Sequence, residues 1–399
     1  MRKILSIAVL AIISIASASA QKVYICKGGT YTTQDISEGL EISLTEGIDS
    51  ITFAKPQMGN DVQVVFDGTT ATVTIPSQLQ DVVTCASGNS PDVVLTSTTT
   101  TDEVTYQVSG SSSAGSLTIH GEYKLTVQLN GVSLTSTKGA AIDIQCGKRI
   151  AIVMKDGTTN SFADAVSGSQ KACFYTKGHL EISGAGTLNV TGNANHAIAA
   201  KEYLQIKKTV KTINILKAAN DAIHVGQHFQ MNGGEVNVTS TTVSDGIQVE
   251  YKRDNSNQII VDEDNTGGVI IKGGSLNITL DNAQDAKGIK AEGNIEISGG
   301  TFLIHANSNG SRGMQTDGDM TVGEENGTTN ITIYARGSRC TVAEDTTDPH
   351  RCMGIKVDGN MTVNAGTIAV YNTGAKSKAI KVGGMYKNNG GTVSGEVDN

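Results

Sequence analysis

Asn195-His196-Ala197-Ile198-Ala199-Ala200 is followed, 25 residues later, by Asn220-Asp221-Ala222-Ile223-His224-Val225. Each copy continues with an apolar pair six and eight residues after its isoleucine, Leu204 with Ile206 and Phe229 with Met231. A third pair closes each copy, Ile213 with Ile215 and Val236 with Val238. Three short apolar-x-apolar pieces in about 25 residues, split by Gly and Asn turns, are the pattern of one coil of a parallel β-helix.

The first-strand isoleucine, or its substitute, serves as a marker. It recurs as Ile142, Phe174, Ile198, Ile223, Ile247, Ile289, Met314, Ile355 and Ile380, and five of the eight intervals are 24 or 25 residues. The steps from Ile247 to Ile289 and from Met314 to Ile355 are 42 and 41 residues. The chain therefore reads as all-β, a right-handed parallel β-helix over residues 115–399 with a small N-terminal β cap. Residues 57–114 are Ser/Thr-rich, with alternating stretches at Val62–Phe66 and Ala71–Ile75. They are expected to cover the open end that any solenoid presents. Residues 21–56 form a short β segment that resembles the one opening many exported Bacteroidota proteins. It closes on Ile48-Asp49-Ser50-Ile51-Thr52-Phe53.

Met1-Arg2-Lys3, the apolar run Ile4 to Ile15, and Ala18-Ser19-Ala20 describe a secretory signal peptide cut near Ala20. The expected location is secreted, periplasmic or at the cell surface. No later stretch is long and apolar enough for a membrane helix. Export makes the six cysteines readable as disulfides. Cys340 with Cys352 is the expected bridge. Cys146 with Cys173, and Cys26 with Cys85, would complete the set, although six cysteines admit other connectivities. A net charge of −8 without a basic-aromatic cluster excludes nucleic acid. The oligomeric state is left open.

The two long intervals locate two insertions. One, 250–268, follows a first strand; the other, 335–351, precedes one. Long loops in compact folds are commonly functional. These two should flank a groove over the first-strand face. Alternation turns outward the residues one and three after each marker. The first outward row contains His224, Gln248, Lys290, Gln315, Lys356 and Lys381; the second contains Glu250, Glu292, Asp317 and Asp358. A further column, two before the marker, runs His196, Asp221, Asp245, Lys287, Arg312 and Lys378. A bank of carboxylates needs cations beside it, from the lysine row or from a metal; an ordinary ion-paired surface accounts for the same residues. Asn220, Asp221 and Asp245 make an oxygen-rich turn that suits Ca²⁺, or that serves only to turn the backbone. Sequons at Asn189, Asn237 and Asn277 fall in strand patterns and read as β composition rather than glycan sites.

With the coils placed, the chain resembles the exported, calcium-containing carbohydrate-binding β-helix family, whose founding clostridial member binds cellulose and acidic sugars. The residues that carry the resemblance are Leu125–Leu134, Ala140-Ala141-Ile142, Asp156-Gly157-Thr158-Thr159-Asn160, Asp221-Ala222-Ile223 and Asp245-Gly246-Ile247. The resemblance implies a fold like that of polysaccharide lyases, without catalysis, and calcium at acidic turns. Only Asp221 and Asp245 match those turns; Lys287-Gly288-Ile289 and Arg312-Gly313-Met314 replace the acid by a cation.

Three functions compete. The first is non-catalytic binding of an acidic, uronate-containing plant or bacterial polysaccharide, assisted by calcium. Its groove residues are His224, Gln248, Glu250, Lys287, Lys290, Glu292, Arg312, Gln315, Asp317, Lys356 and Asp358. With no Trp and 4% aromatics, a flat stacking platform is not expected. The second is a lyase acting on uronate glycans, with Lys287, Lys290 or Arg312 beside Asp245. The third is a structural or adhesive surface protein.

Overall fold

The computed structural model describes residues 22–27, 30–35, 48–52 and 61–399, apart from 240–243, 326 and 343–344. For most of 22–52, for 342 and for 345–349 it describes the backbone alone. The expected signal peptide, 1–20, lies outside the described residues. Two compact units divide the chain, one ending at Gly59 and one starting at Asn60. In the first, Lys22–Lys27 pairs antiparallel with both Thr30–Asp35 and Ile48–Thr52.

The second unit is a parallel β-solenoid, with no α-helix among the described residues. Its coils stack in the register that the marker implies. Ile142 pairs with Phe174, Phe174 with Ile198, Ile198 with Ile223, and Ile223 with Ile247. The ladder continues through Ile289, Met314, Ile355 and Ile380. The second strands stack likewise, as Leu180–Leu204–Phe229–Val269–Ile295. So do the third strands, as Leu188–Ile213–Val236–Leu276–Phe302. Three parallel sheets thus run the length of the unit and turn their aliphatic ladders inward.

The core follows from that register. From Phe174 to Ile380 the markers are 0% exposed. Burying one Ile or Leu contributes about 1.5–3 kcal/mol, and each side chain touches its equivalents above and below. Bulk is placed unevenly: Phe162 and Phe174 meet edge to face at 5.7 Å. The glycine of the Asp-Gly-Ile phrase has a steric cause. A Cβ on Gly246 would stand 2.5 Å from the Gly288 carbonyl oxygen, and one on Gly288 would stand 2.5 Å from that of Gly313. Neighbouring coils leave no room for a side chain there.

The outer faces carry polar ladders. On the third-strand sheet, Asn214 donates to Asn189 at 2.9 Å, Asn237 to Asn214 at 2.9 Å and Asn277 to Asn237 at 2.8 Å. Three of the sequon asparagines are therefore rungs of an amide ladder. Rings stack at the same spacing: His305 on Tyr334 at 5.0 Å and Tyr334 on Tyr371 at 5.1 Å. Within these stacks the ring faces cover one another.

Parallel stacking reaches further toward the N-terminus than Leu117. Val93 pairs with Leu117, and Asp61–Asp67 runs parallel to Val104–Ser112. Two antiparallel strands close this end: Val83–Cys85 against Asp92–Ser97, and Thr70–Thr74 against Asp61–Asp67. They occupy the outermost positions, where a parallel coil would leave unpaired backbone.

The expected disulfides are absent among the described residues. Cys340 and Cys352 are both buried free thiols. The Cys352 thiol donates to the Ala306 carbonyl at 3.5 Å and lies 3.9 Å from Ser311 Oγ, whereas Cys340 Sγ packs over Gly310. Cys146 and Cys173 occupy opposite ends of paired strands, since Ile142 faces Phe174 and Ile144 faces Thr176. Five residues of strand, about 16 Å, separate their levels, beyond the roughly 7 Å limit for a bridge. Cys85 is free as well, and the side chain of Cys26 is outside the described residues.

Two substitutions separate the ladders energetically. Ile247→Ala opens a cavity in the aliphatic stack and should cost about 2–5 kcal/mol. Asn237→Ala removes two amide bonds at the surface and should cost about 1–2 kcal/mol. Equilibrium denaturation measures both, and equal losses would contradict this division of labour.

Candidate functional site on the first-strand face

The outward row is continuous. His224 pairs with Gln248, Gln248 with Lys290, Lys290 with Gln315, Gln315 with Lys356 and Lys356 with Lys381. The acids that follow are held by neighbours. Lys356 Nζ meets Asp358 at 2.7 Å, Gln248 donates to Glu250, and Arg253 reaches both oxygens of Glu292 at 3.0 and 3.1 Å. Asp317 is exposed at the strand end, where its N–H donates to the Ala291 carbonyl.

The insertions leave the sheet at opposite strand ends. Residues 250–268 fold along the exit edge: Tyr251 N–H donates to Glu292, and Lys252 Nζ pairs with Glu202 at 2.6 Å. Buried Asn265 ties this loop together through Lys252 and Ile260. The other insertion carries the hairpin Cys340–Val342 with Asp345–His350 at the entry edge. Its His350 reaches back to Asp285 at 2.6 Å.

Asp285 is the hub on that side. It also meets Lys287 Nζ at 3.0 Å and Arg312 Nη1 at 3.3 Å. Burial pushes its carboxyl up, but Lys287, His350 and Arg312 outweigh burial and hold it below the ordinary range. Arg312 is itself 7% exposed and donates to Gln315 at 3.0 Å. Beyond it, Arg312, His350, Arg351, Met353, Lys356, Lys378 and Lys381 line a cavity of about 110 Å³. Among the described residues no carboxylate lines that cavity. Lys356 and Lys378 are paired outside it with Asp358 and Asp398. Sequence reasoning marked Lys287, Lys290, Arg312 and Lys356. It missed Asp285, His350 and Arg351, because none of them keeps the coil period.

The acidic turn does not assemble as an oxygen cage. The side chain of Asn220 donates to Asn195 at 3.2 Å. Asp221 and Asp245 are both buried, and each carboxylate accepts an N–H from the next coil: Asp245 N–H onto Asp221 Oδ1 and Lys287 N–H onto Asp245 Oδ1. Burial, with the charge of Asp221 adding to it, pushes Asp245 up to about 6 against the pull of Lys287. Calcium wants six to eight hard oxygens; the other groups converging on Asp221 are the imidazoles of His196 and His224. Calcium does not fit this set. The period could have revealed the pair: His196 and Asp221 share a column one coil apart, and His224 follows Asp221 by three.

Comparison with known proteins agrees with this architecture. A solved polysaccharide lyase-like protein from C. thermocellum, studied as a gadolinium derivative, superposes with a TM-score of 0.53 at 23% identity; the match covers 67% of this chain and 99% of that one. At that identity the likeness is one of fold. A carbohydrate-binding domain-containing protein of Acetivibrio thermocellus is 31% identical over 93 residues, which are 21% of this chain and 32% of the relative. The chain thus matches about a third of that relative's length. The family model for carbohydrate-binding domain-containing proteins spans residues 94–397, more than half of the chain, and the chain belongs to that family.

Proposed function

We propose that the protein binds an acidic, uronate-bearing polysaccharide along the first-strand face, without transforming it. One observation carries this reading: the cavity lined by Arg312, His350, Arg351, Lys356, Lys378 and Lys381, with no carboxylate among the described lining residues. Guanidinium groups recognise carboxylates through paired N–H donors, and lysines add point charge. Family membership supplies the carbohydrate; the cations supply the preference for an acidic one. The stacked rings Tyr334 and Tyr371 belong to the third-strand sheet and not to the first-strand face. Export, expected from the leading segment, would place this surface where polysaccharide is met.

The chemistry of the face favours binding over elimination. A lyase base must be free to take a proton, whereas Lys287 and Arg312 are tied to Asp285. Cations held in place by Asp285 present fixed N–H donors to a carboxylate.

Retention of the intact protein on polygalacturonate tests this. Binding should exceed that on neutral glucan and fall steeply between low and high salt, as screened charges require. The double variant Arg351→Ala/Lys381→Ala should weaken it about tenfold, equivalent to about 1.4 kcal/mol. Equal retention on both polymers, or release of an unsaturated product, would overturn the reading.

Asp285→Asn should lower stability by about 2 kcal/mol at neutral pH, since it leaves buried Arg312 without its anion. The folded carboxyl titrates below its unfolded value. Its stabilisation is therefore present above about pH 4 and is lost as the pH falls further. Thermal melts of wild type and variant should differ at pH 7 and converge in acid.

A further inference from the structure

His196 opens the strand His196–Ala200, and Asp221 lies one coil on in the same column. Nδ1 of His196 is 3.2 Å from Asp221 Oδ2, and Nδ1 of His224 is 3.1 Å from that same oxygen. The two imidazoles stack at 4.4 Å. Asp221 is 2% exposed and His196 7%, while the His224 side chain is 24% exposed.

Three features say what this notch holds. The first is burial. The Asp221 carboxylate is set almost wholly inside the protein. A buried anion needs a cation at hand. Among the described residues its ion-pair partners are these imidazoles alone, and the nearby lysines Lys287 and Lys290 act on Asp245 instead.

The second is hydrogen bonding. Nδ1 of His196 accepts the backbone N–H of Asp221 at 3.2 Å. A ring that accepts there carries its proton on Nε2. Nδ1 then has no proton to give Asp221 Oδ2 across 3.2 Å, and an ion bound there would take its single lone pair in place of the Asp221 N–H. A proton on His224 satisfies only the other contact.

The third is spacing. Four-coordinate zinc binds nitrogen and oxygen at about 2.0–2.2 Å, which puts neighbouring donor atoms about 3.3–3.5 Å apart. The two Nδ1–Oδ2 separations, 3.1 and 3.2 Å, lie slightly below that range, and the three donor atoms all lie within 4.8 Å of one another, so the side chains need only part slightly to take an ion. Asp221 is already oriented by the Asp245 N–H on its second oxygen at 3.1 Å. Glu250 lies 3.9 Å from the far nitrogen of His224, in the place of an outer carboxylate that steers a metal-bound ring.

We propose that His196, Asp221 and His224 form a site for a borderline divalent metal of the zinc class, with a fourth position open on the His224 side. Two imidazoles and one carboxylate suit such an ion and not calcium. The metal would cross-brace two coils at the point where the first long insertion begins. The site stands independently of the glycan reading.

Tag-free protein stripped with chelator and titrated with Zn²⁺ by calorimetry, and with Co²⁺ by visible absorption, tests this. About one equivalent should bind, with the intense visible bands of low-coordinate cobalt, and Zn²⁺ should raise the melting temperature. His224→Gln should weaken binding at least tenfold, and excess Ca²⁺ should not compete. His179→Gln, a histidine outside the notch, should leave binding unchanged. If His196→Gln fails to fold, the exposed His224→Gln still decides the matter. Absence of Zn²⁺ binding, or binding unaltered by His224→Gln, would overturn the proposal.

Discussion

Everything in the solenoid depends on one constraint: equivalent residues of successive coils must lie directly over one another, about 4.8 Å apart. Backbone hydrogen bonds between coils demand it, and side chains follow. Ile198, Ile223, Ile247 and Ile289 fill one column at 0% exposure, each serving as wall for the next. The same constraint makes Asn189, Asn214, Asn237 and Asn277 into an amide chain. Columns of like residues are therefore either self-satisfying, as with aliphatics, amides and rings, or in need of relief, as with charges.

That need for relief shapes the functional face. Like charges stacked one coil apart repel, and the chain resolves this by alternating columns and by inserting loops. Asp285 gathers Lys287, Arg312 and His350, the last from an insertion. Glu292 is met by Arg253 from the other insertion. Farther along, Arg312, Arg351, Lys356, Lys378 and Lys381 gather round one cavity with no acid among its described lining residues. An electrostatic surplus left on one side of a rigid sheet is what an anionic polymer can use.

Much was legible beforehand because the register is periodic. The marker column, the outward row from His224 to Lys381 and the two loop positions all follow from counting in steps of about 25 residues. The Cys146–Cys173 pairing could not be judged from coil number alone, because cysteines on adjacent coils still need the same strand level, and these two do not share one. The oxygens offered by the acidic turn could not be counted from the sequence, because one oxygen of Asp221 and one of Asp245 accept backbone N–H groups of the next coil.

The sequence by itself determined the solenoid, its period, which residues point inward and where the regular coil is interrupted, since these depend on a repeat that can be counted. Only the tertiary structure decided which side chains meet between columns and across the insertions. Asp285 with His350, and His196 and His224 on one oxygen of Asp221, are pairings of that kind. The reason is physical. Stacking fixes neighbours along a column, but the contact between one column and another depends on turn geometry, rotamers and the path of loops that obey no period.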